Sequence, residues 1–262
     1  MDKNNIGSRM KEFYEAASKT RLVRRTPVAV RLDGRSFHTF TKKFRKPFDR
    51  VLMNSMQRTM KFLCENIQGC VFGYTQSDEI TLILIDYKNL DSSAWFDYEV
   101  QKICSISSSM ATLAFNRIFS EEVSKFRKEY YYDENGENFY EVYLKAVEKG
   151  AMFDARAFNI PKEEVANLIY WRQLDAIRNS IQMAGQHIFS QKQLNGKSCK
   201  NILEMLSERG IIWSQYNFDE QRGATCFKQE KQNSNGYTWI IDRNIPLFCG
   251  EERAYIERFI FI

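Results

Sequence analysis

Residues 80–85, Ile-Thr-Leu-Ile-Leu-Ile, form a nearly continuous apolar run directly after the polar turn Gln76-Ser77-Asp78-Glu79. A strand that is apolar in almost every register is buried on both faces. Residues 70–76 precede the turn and read as a second short strand, so 70–86 is a tight hairpin with acidic residues at its tip. A further strand is written at 26–34. Pro27 sets an extended start, Val28, Val30 and Leu32 alternate with Ala29 and Arg31, and Asp33-Gly34 ends the run as a turn pair.

Between these strands lie a basic loop, Lys42, Lys43, Arg45 and Lys46, and an amphipathic helix predicted from Phe48 to Ile67. Its apolar positions Val51, Leu52, Met56, Met60, Leu63 and Ile67 recur every three or four residues, and Asp49 favours its N-terminus. A second helix is expected from about Trp95 to Ile118, an exposed loop at 130–138, and a strand at 151–158. The order strand, helix, strand, strand, helix, strand is that of a split βαβ, ferredoxin-like α+β sheet. A long helix is expected from Pro161 to about Phe189, and a shorter one starting at Ser198 and ending at Arg209-Gly210. A hairpin is expected at 223–230 and 237–242. The organisation implied is a catalytic region, 1–158, and a helical and hairpin accessory region, 159–262, packed as one unit.

With 44% apolar residues, 14% aromatic residues and only 4 Pro, the 262-residue chain has a sizeable core and is neither fibrous nor disordered. No apolar run is long enough for a membrane span or a signal-peptide core, which implies a cytoplasmic protein with reduced thiols. The six cysteines form no C-x-x-C pair and there are only two His, which argues against structural zinc. A net charge of +5 is mild and fits an anionic partner such as RNA or nucleotide without requiring one.

Asp33 ends one strand, and Asp78-Glu79 sit at the tip of the hairpin that can pair with it. Either group alone reads as ordinary turn chemistry. Together they place three carboxylates at one sheet edge, where mutual repulsion raises their pKa values. Two Mg²⁺ ions, which favour oxygen ligands and phosphates, relieve that repulsion and supply the chemistry of phosphoryl and nucleotidyl transfer. Gly34 allows a phosphate to approach the backbone, and its carbonyl could also serve a metal. Arg35, Ser36 and His38 add donors, and the basic loop can neutralise a triphosphate. Phe37 reads more readily as a core residue than as a base-stacking platform.

The segments R-L-D-G-R-S-F-H (31–38), K-P-x-D (46–49), Y-x-Q-S-D-E (74–79), F-D-A-R (153–156) and W-R-Q-x-D (171–175) resemble the tRNA-His guanylyltransferase family, and more closely its guanylyltransferase-like branch. The resemblance spans about Met10 to Pro246. It implies a polymerase-like palm that adds nucleotides to the 5′ end of tRNA in the 3′–5′ direction, after activating a 5′-monophosphate with ATP or GTP. It implies that Asp33, Gly34 and Asp78 hold Mg²⁺ with Glu79 in support. It also implies that Asp33, Gly34, Arg35, Ser36, Phe37, His38, Lys46, Ser77 and Asp78 line the nucleotide site, and that the protein is a homotetramer. Eukaryotic members carry H-I-N-N-L-Y-N after the W-R-Q-x-D-C segment, whereas this chain reads A-I-R-N-S-I-Q from Ala176. That departure favours template-dependent repair of 5′-truncated tRNA over G-addition to tRNA-His alone. The alternatives are a palm-type nucleotide cyclase, which needs no RNA, and a non-catalytic tRNA-binding protein.

Overall fold

The computed structural model describes residues 6–130, 132, 135–231 and 236–262. Its centre is a six-stranded sheet in the order β4-β1-β3-β2-β5-β6. The strands are β1 (Val28–Gly34), β2 (Cys70–Gln76), β3 (Glu79–Leu84), β4 (Phe153–Asn159), β5 (Ala224–Glu230) and β6 (Tyr237–Asp242). Every neighbouring pair is antiparallel. All of β3 is buried, as its unbroken apolar text requires.

The helices are α1 (Ile6–Met10), α2 (Phe37–Phe40), α3 (Arg50–Asn66), α4 (Val100–Tyr130), α5 (Gly136–Lys149), α6 (Lys162–Ile188), α7 (Gln191–Leu194), α8 (Cys199–Glu208), α9 (Phe218–Arg222) and α10 (Ala254–Glu257). Alternation along β1 sends Val30 and Leu32 to one face of the sheet, where they pack with Met60 and Leu63 of α3 and Phe115 and Phe119 of α4. Ala29, Ile83, Phe72 and Tyr74 lie in the opposite layer with Val165 and Ile169 of α6 and with Phe248 and Ile256. Each such buried aliphatic side chain contributes about 1.5–3 kcal/mol. A third cluster joins α6 to α8 through Ile181, Ala184, Ile202 and Leu206.

The structure corrects the sequence reading in several places. The helix expected from Trp95 begins at Val100, because Trp95–Tyr98 is a short 3₁₀ turn with positive φ at Phe96, Asp97 and Tyr98. It runs on to Tyr130, since Phe119, Val123 and Phe126 continue the buried stripe and Glu122 between them is neutralised by Arg58 and Lys125. The polar segment 130–138 is not loop throughout, because α5 starts at Gly136 and buries Tyr143 and Ala146 (residues 131, 133 and 134 lie outside the described ones). The expected C-terminal hairpin is present, and it extends the main sheet through pairing of β5 with β2. Its turn residues 232–235 lie outside the described residues. No helix among the described residues is long and apolar enough to cross a membrane.

Candidate active site

The antiparallel register places Asp33 directly opposite Glu79 on one side and Asp154 of β4 on the other. Residues paired in this way point to the same face with Cα atoms about 4.5–5.5 Å apart. The backbone N–H of Gly34 donates to the Asp78 carbonyl at 3.1 Å, which fastens the end of β1 to the hairpin tip. Ser77 takes a left-handed conformation (φ 50°) to close that tip, and its hydroxyl donates to Asp78 Oδ1 at 3.0 Å. Asp33, Asp78 and Glu79 therefore meet at one edge, as their positions in the sequence predicted.

Their charges are not equivalent. Burial pushes the Asp78 carboxyl above the usual carboxylate range, and the neighbouring Asp33 and Glu79 charges push it the same way against the Ser77 hydrogen bond. The Glu79 carboxylate instead accepts a 2.7 Å hydrogen bond from Arg172 Nε of α6, where both side chains are almost fully buried. Asp175 binds the same guanidinium at 3.0 Å. Asp33 and Asp78 form no ion pair with a described residue, so the acidic edge consists of two uncompensated carboxylates backed by a neutralised third.

Among the described residues, no cluster of three or more His, Cys, Asp and Glu side chains is arranged to hold a metal ion. Mg²⁺ does not need such a cage, since it commonly binds through one or two carboxylates together with substrate phosphates. Asp33 and Asp78, which crowd together without a counter-charge, fit that pattern.

The loop after Asp33 is shaped by packing. A Cβ on Gly34 would lie 2.2 Å from the Phe37 ring, so only glycine fits beneath it. That ring is buried among Phe40, Phe115 and Phe153, which commits the Phe37 side chain to the core and leaves only its backbone for a ligand. Arg35, Ser36 and His38 are exposed, and the Arg35 N–H donates to the Met152 carbonyl at 2.8 Å. Lys46 is also exposed. Its loop is pinned by the buried Asp49 carboxylate, which accepts from Arg45 N, Leu52 N and the Tyr143 hydroxyl. Phe48 and Asp49 share a small cavity with Gln76 and Ser77, so this segment lies against the hairpin tip. Arg45 packs over the rings of Phe126, Tyr130 and Phe139 and does not join the site.

Sequence reasoning gave no role to Asp154, Arg31, Arg156, Trp171 or Arg172. In the row next to the carboxylates, Arg31 is paired with Arg156, on the same face as Asp33. The half-exposed Trp171 ring lies beneath Arg31 at 5.8 Å and Arg172 at 4.6 Å. The edge thus alternates a row of acids with a row of arginines beside an aromatic plate. The signal for Asp154 and Arg156 was the two-residue spacing of F-D-A-R opposite R-L-D, which matches strand parity.

The tRNAHis guanylyltransferase family model matches residues 7–161, which include β1 to β4 and the acidic edge. The chain belongs to that family. Its members are nucleotidyltransferases. A bacterial tRNA(His) guanylyltransferase-like protein solved in complex with ATP is 36% identical, with a TM-score of 0.80, over 98% of this chain and 100% of that one. A second structure of such a protein, in complex with GTP, gives 34% and 0.79 over 98% and 99%. A probable tRNA(His) guanylyltransferase of Dictyostelium discoideum is 27% identical, covering 88% of this chain and 87% of its own length. An uncharacterized protein of Acanthamoeba polyphaga mimivirus is 30% identical over 93% of this chain and 84% of its own length.

Proposed function

We infer that the protein is a Mg²⁺-dependent 3′–5′ nucleotidyltransferase that adds nucleotides to the 5′ end of tRNA, with ATP or GTP activating the 5′ phosphate. The observation that carries this reading is the pair Asp33 and Asp78, fixed at one sheet edge without counter-charge, in a chain similar to proteins solved in complex with ATP and GTP. In this reading the first four strands serve as a polymerase-like palm.

Asp33, Asp78 and the Gly34 carbonyl would hold Mg²⁺, which when bound lowers the pKa of an attacking 3′-hydroxyl and stabilises the departing phosphate oxygens. Arg172 keeps Glu79 neutralised and rigid behind them. Arg31 and Arg156, one row along the strands, orient phosphates that approach the acidic row. Lys46 and Arg35 draw the triphosphate to the loop. These groups achieve positioning and charge neutralisation, the principal protein contributions to phosphoryl transfer.

The repair branch is favoured by Ile177. Where eukaryotic relatives carry a histidine, this side chain packs into the cluster between α6 and α8 and offers no polar group to RNA. The test is extension of tRNAs lacking the first nucleotide, with each of the four NTPs offered separately. Incorporation that follows the opposing 3′-strand base supports repair, G-only addition supports tRNA-His maturation, and turnover of NTP without RNA supports a cyclase. A tetramer is checked by light scattering.

A further inference from the structure

Trp171 of α6 is 52% exposed and packs into none of the three buried clusters. The other three tryptophans are packed, Trp95 and Trp239 in the core and Trp213 against the cluster between α6 and α8. An indole is the largest apolar side chain, and leaving half of it in water forgoes the burial that stabilises the others.

What holds Trp171 is charge. The Arg172 guanidinium lies 4.6 Å and the Arg31 guanidinium 5.8 Å from the ring centre, both within cation–π range. Arg172 is buried against Glu79 on the sheet side of α6, and Arg31 belongs to β1. The cations therefore hold the ring from the sheet, and its exposed half is left to solvent beside the acidic edge. Arg31 shares a face with Asp33, two residues and about 7 Å away along the strand. On that face the β4 partners Asp154 and Arg156 are exposed, so the sheet is open to solvent where the acidic row meets the arginine row. Neither Arg31 nor Arg156 forms an ion pair with a described residue. A fixed aromatic ring and two arginines without carboxylate partners thus border one open face. The ring offers a stacking surface for a base, and the guanidinium groups offer donors for its phosphate.

We propose that Trp171 is the stacking platform for a nucleobase at the reacting end, with the phosphate of that nucleotide on Arg31 and Arg156. The proposal rests on the nucleotidyltransferase reading. The base belongs either to the 5′ terminus of the RNA or to the incoming nucleotide, which present the same aromatic face. Stacking tolerates any base, so the platform holds the base while pairing with the opposite strand selects it.

The experiment is steady-state nucleotide addition by the full chain to a 5′-monophosphorylated tRNA lacking its first residue. Concentrations of tRNA and NTP are varied in turn for wild type, Trp171→Leu and Trp171→Phe. Trp171→Leu should raise one KM about tenfold with kcat within about twofold of wild type, and Trp171→Phe, which keeps an aromatic face, should recover most of the loss. A raised KM for tRNA places the RNA terminus on the ring, and a raised KM for NTP places the incoming base there. Both variants should keep the wild-type unfolding midpoint and the wild-type mass in light scattering, because the ring lies outside the core. Both KM values within about twofold of wild type in Trp171→Leu overturn the proposal. A loss confined to kcat also overturns it and makes the ring a support for Arg172. A changed mass overturns it in favour of a contact between copies of the chain. If wild type adds nothing to tRNA, the nucleotidyltransferase reading itself fails, whereas an active wild type with unchanged KM values in Trp171→Leu removes the platform alone.

Discussion

Arg172 Nε donates to the Glu79 carboxylate at 2.7 Å across 93 residues of sequence, with both side chains about nine-tenths buried. This contact separates the acidic edge into a neutralised member and two members without a counter-charge among the described residues. It also makes α6 a support for the site, although α6 lies beyond the segment matched by the family.

Removing one partner of that pair strands a buried charge. Arg172→Gln should lower stability by about 3 kcal/mol, and Arg172→Gln with Glu79→Gln should recover most of the loss. Urea unfolding of the two single variants and the double variant measures the coupling. Additive losses would mean that the two residues do not interact as described.

Gly34→Ala forces a Cβ into the Phe37 ring, which is itself wedged among three other aromatic rings. Overpacking of this kind costs about 1–3 kcal/mol. The clash falls in the loop directly after Asp33, so nucleotide addition should fall more than stability does. Thermal unfolding together with single-turnover rates separates the two effects, and an unperturbed rate would show that the loop tolerates the displacement.

Lys46→Gln should raise KM for NTP about tenfold with little change in kcat, because an exposed cation assists binding without touching the reacting atoms. A fall in kcat at constant KM would assign it a different part in the reaction.

The pH dependence of folding should report on Asp219. Burial pushes its carboxyl up, but hydrogen bonds from Arg50 and Gln57 and the charges of Arg50 and Arg243 outweigh it, so the net shift is downward. A folded-state pKa below the unfolded one gives stability that is complete above the usual carboxylate pKa and is lost as pH falls through the folded value. Arg50 is half-exposed, so Asp219→Asn should cost about 2 kcal/mol at pH 7. The gap between variant and wild type should close below about pH 4, and a gap constant with pH would exclude this origin.

The parts of this molecule legible in its sequence are those set by local pattern. Ile80–Ile85 declared a buried strand, Val28–Leu32 declared alternation, and Asp33 with Asp78 marked the two ends that meet. Asp49 was legible as a helix start and does cap α3, accepting from Leu52 N at 2.9 Å. Contacts between distant segments were not legible. Nothing near Glu79 shows that Arg172 will fold onto it, and nothing in the β5–β6 hairpin shows that it will dock on β2. The extension of α4 was concealed because Glu121 and Glu122 resemble a solvated helix end, although Glu122 is buried against Arg58. Phe37 sits in a segment rich in polar donors, yet its ring belongs to the core.

The most direct test of the acidic edge is single-turnover nucleotide addition to a 5′-monophosphorylated tRNA lacking its first residue, comparing wild type with Asp33→Asn and Asp78→Asn at saturating Mg²⁺. Each substitution should reduce the rate by about 10³-fold or more while circular dichroism and the unfolding midpoint stay close to wild type. Rates within a few-fold of wild type in either well-folded variant would contradict the assignment of these carboxylates as the reaction centre.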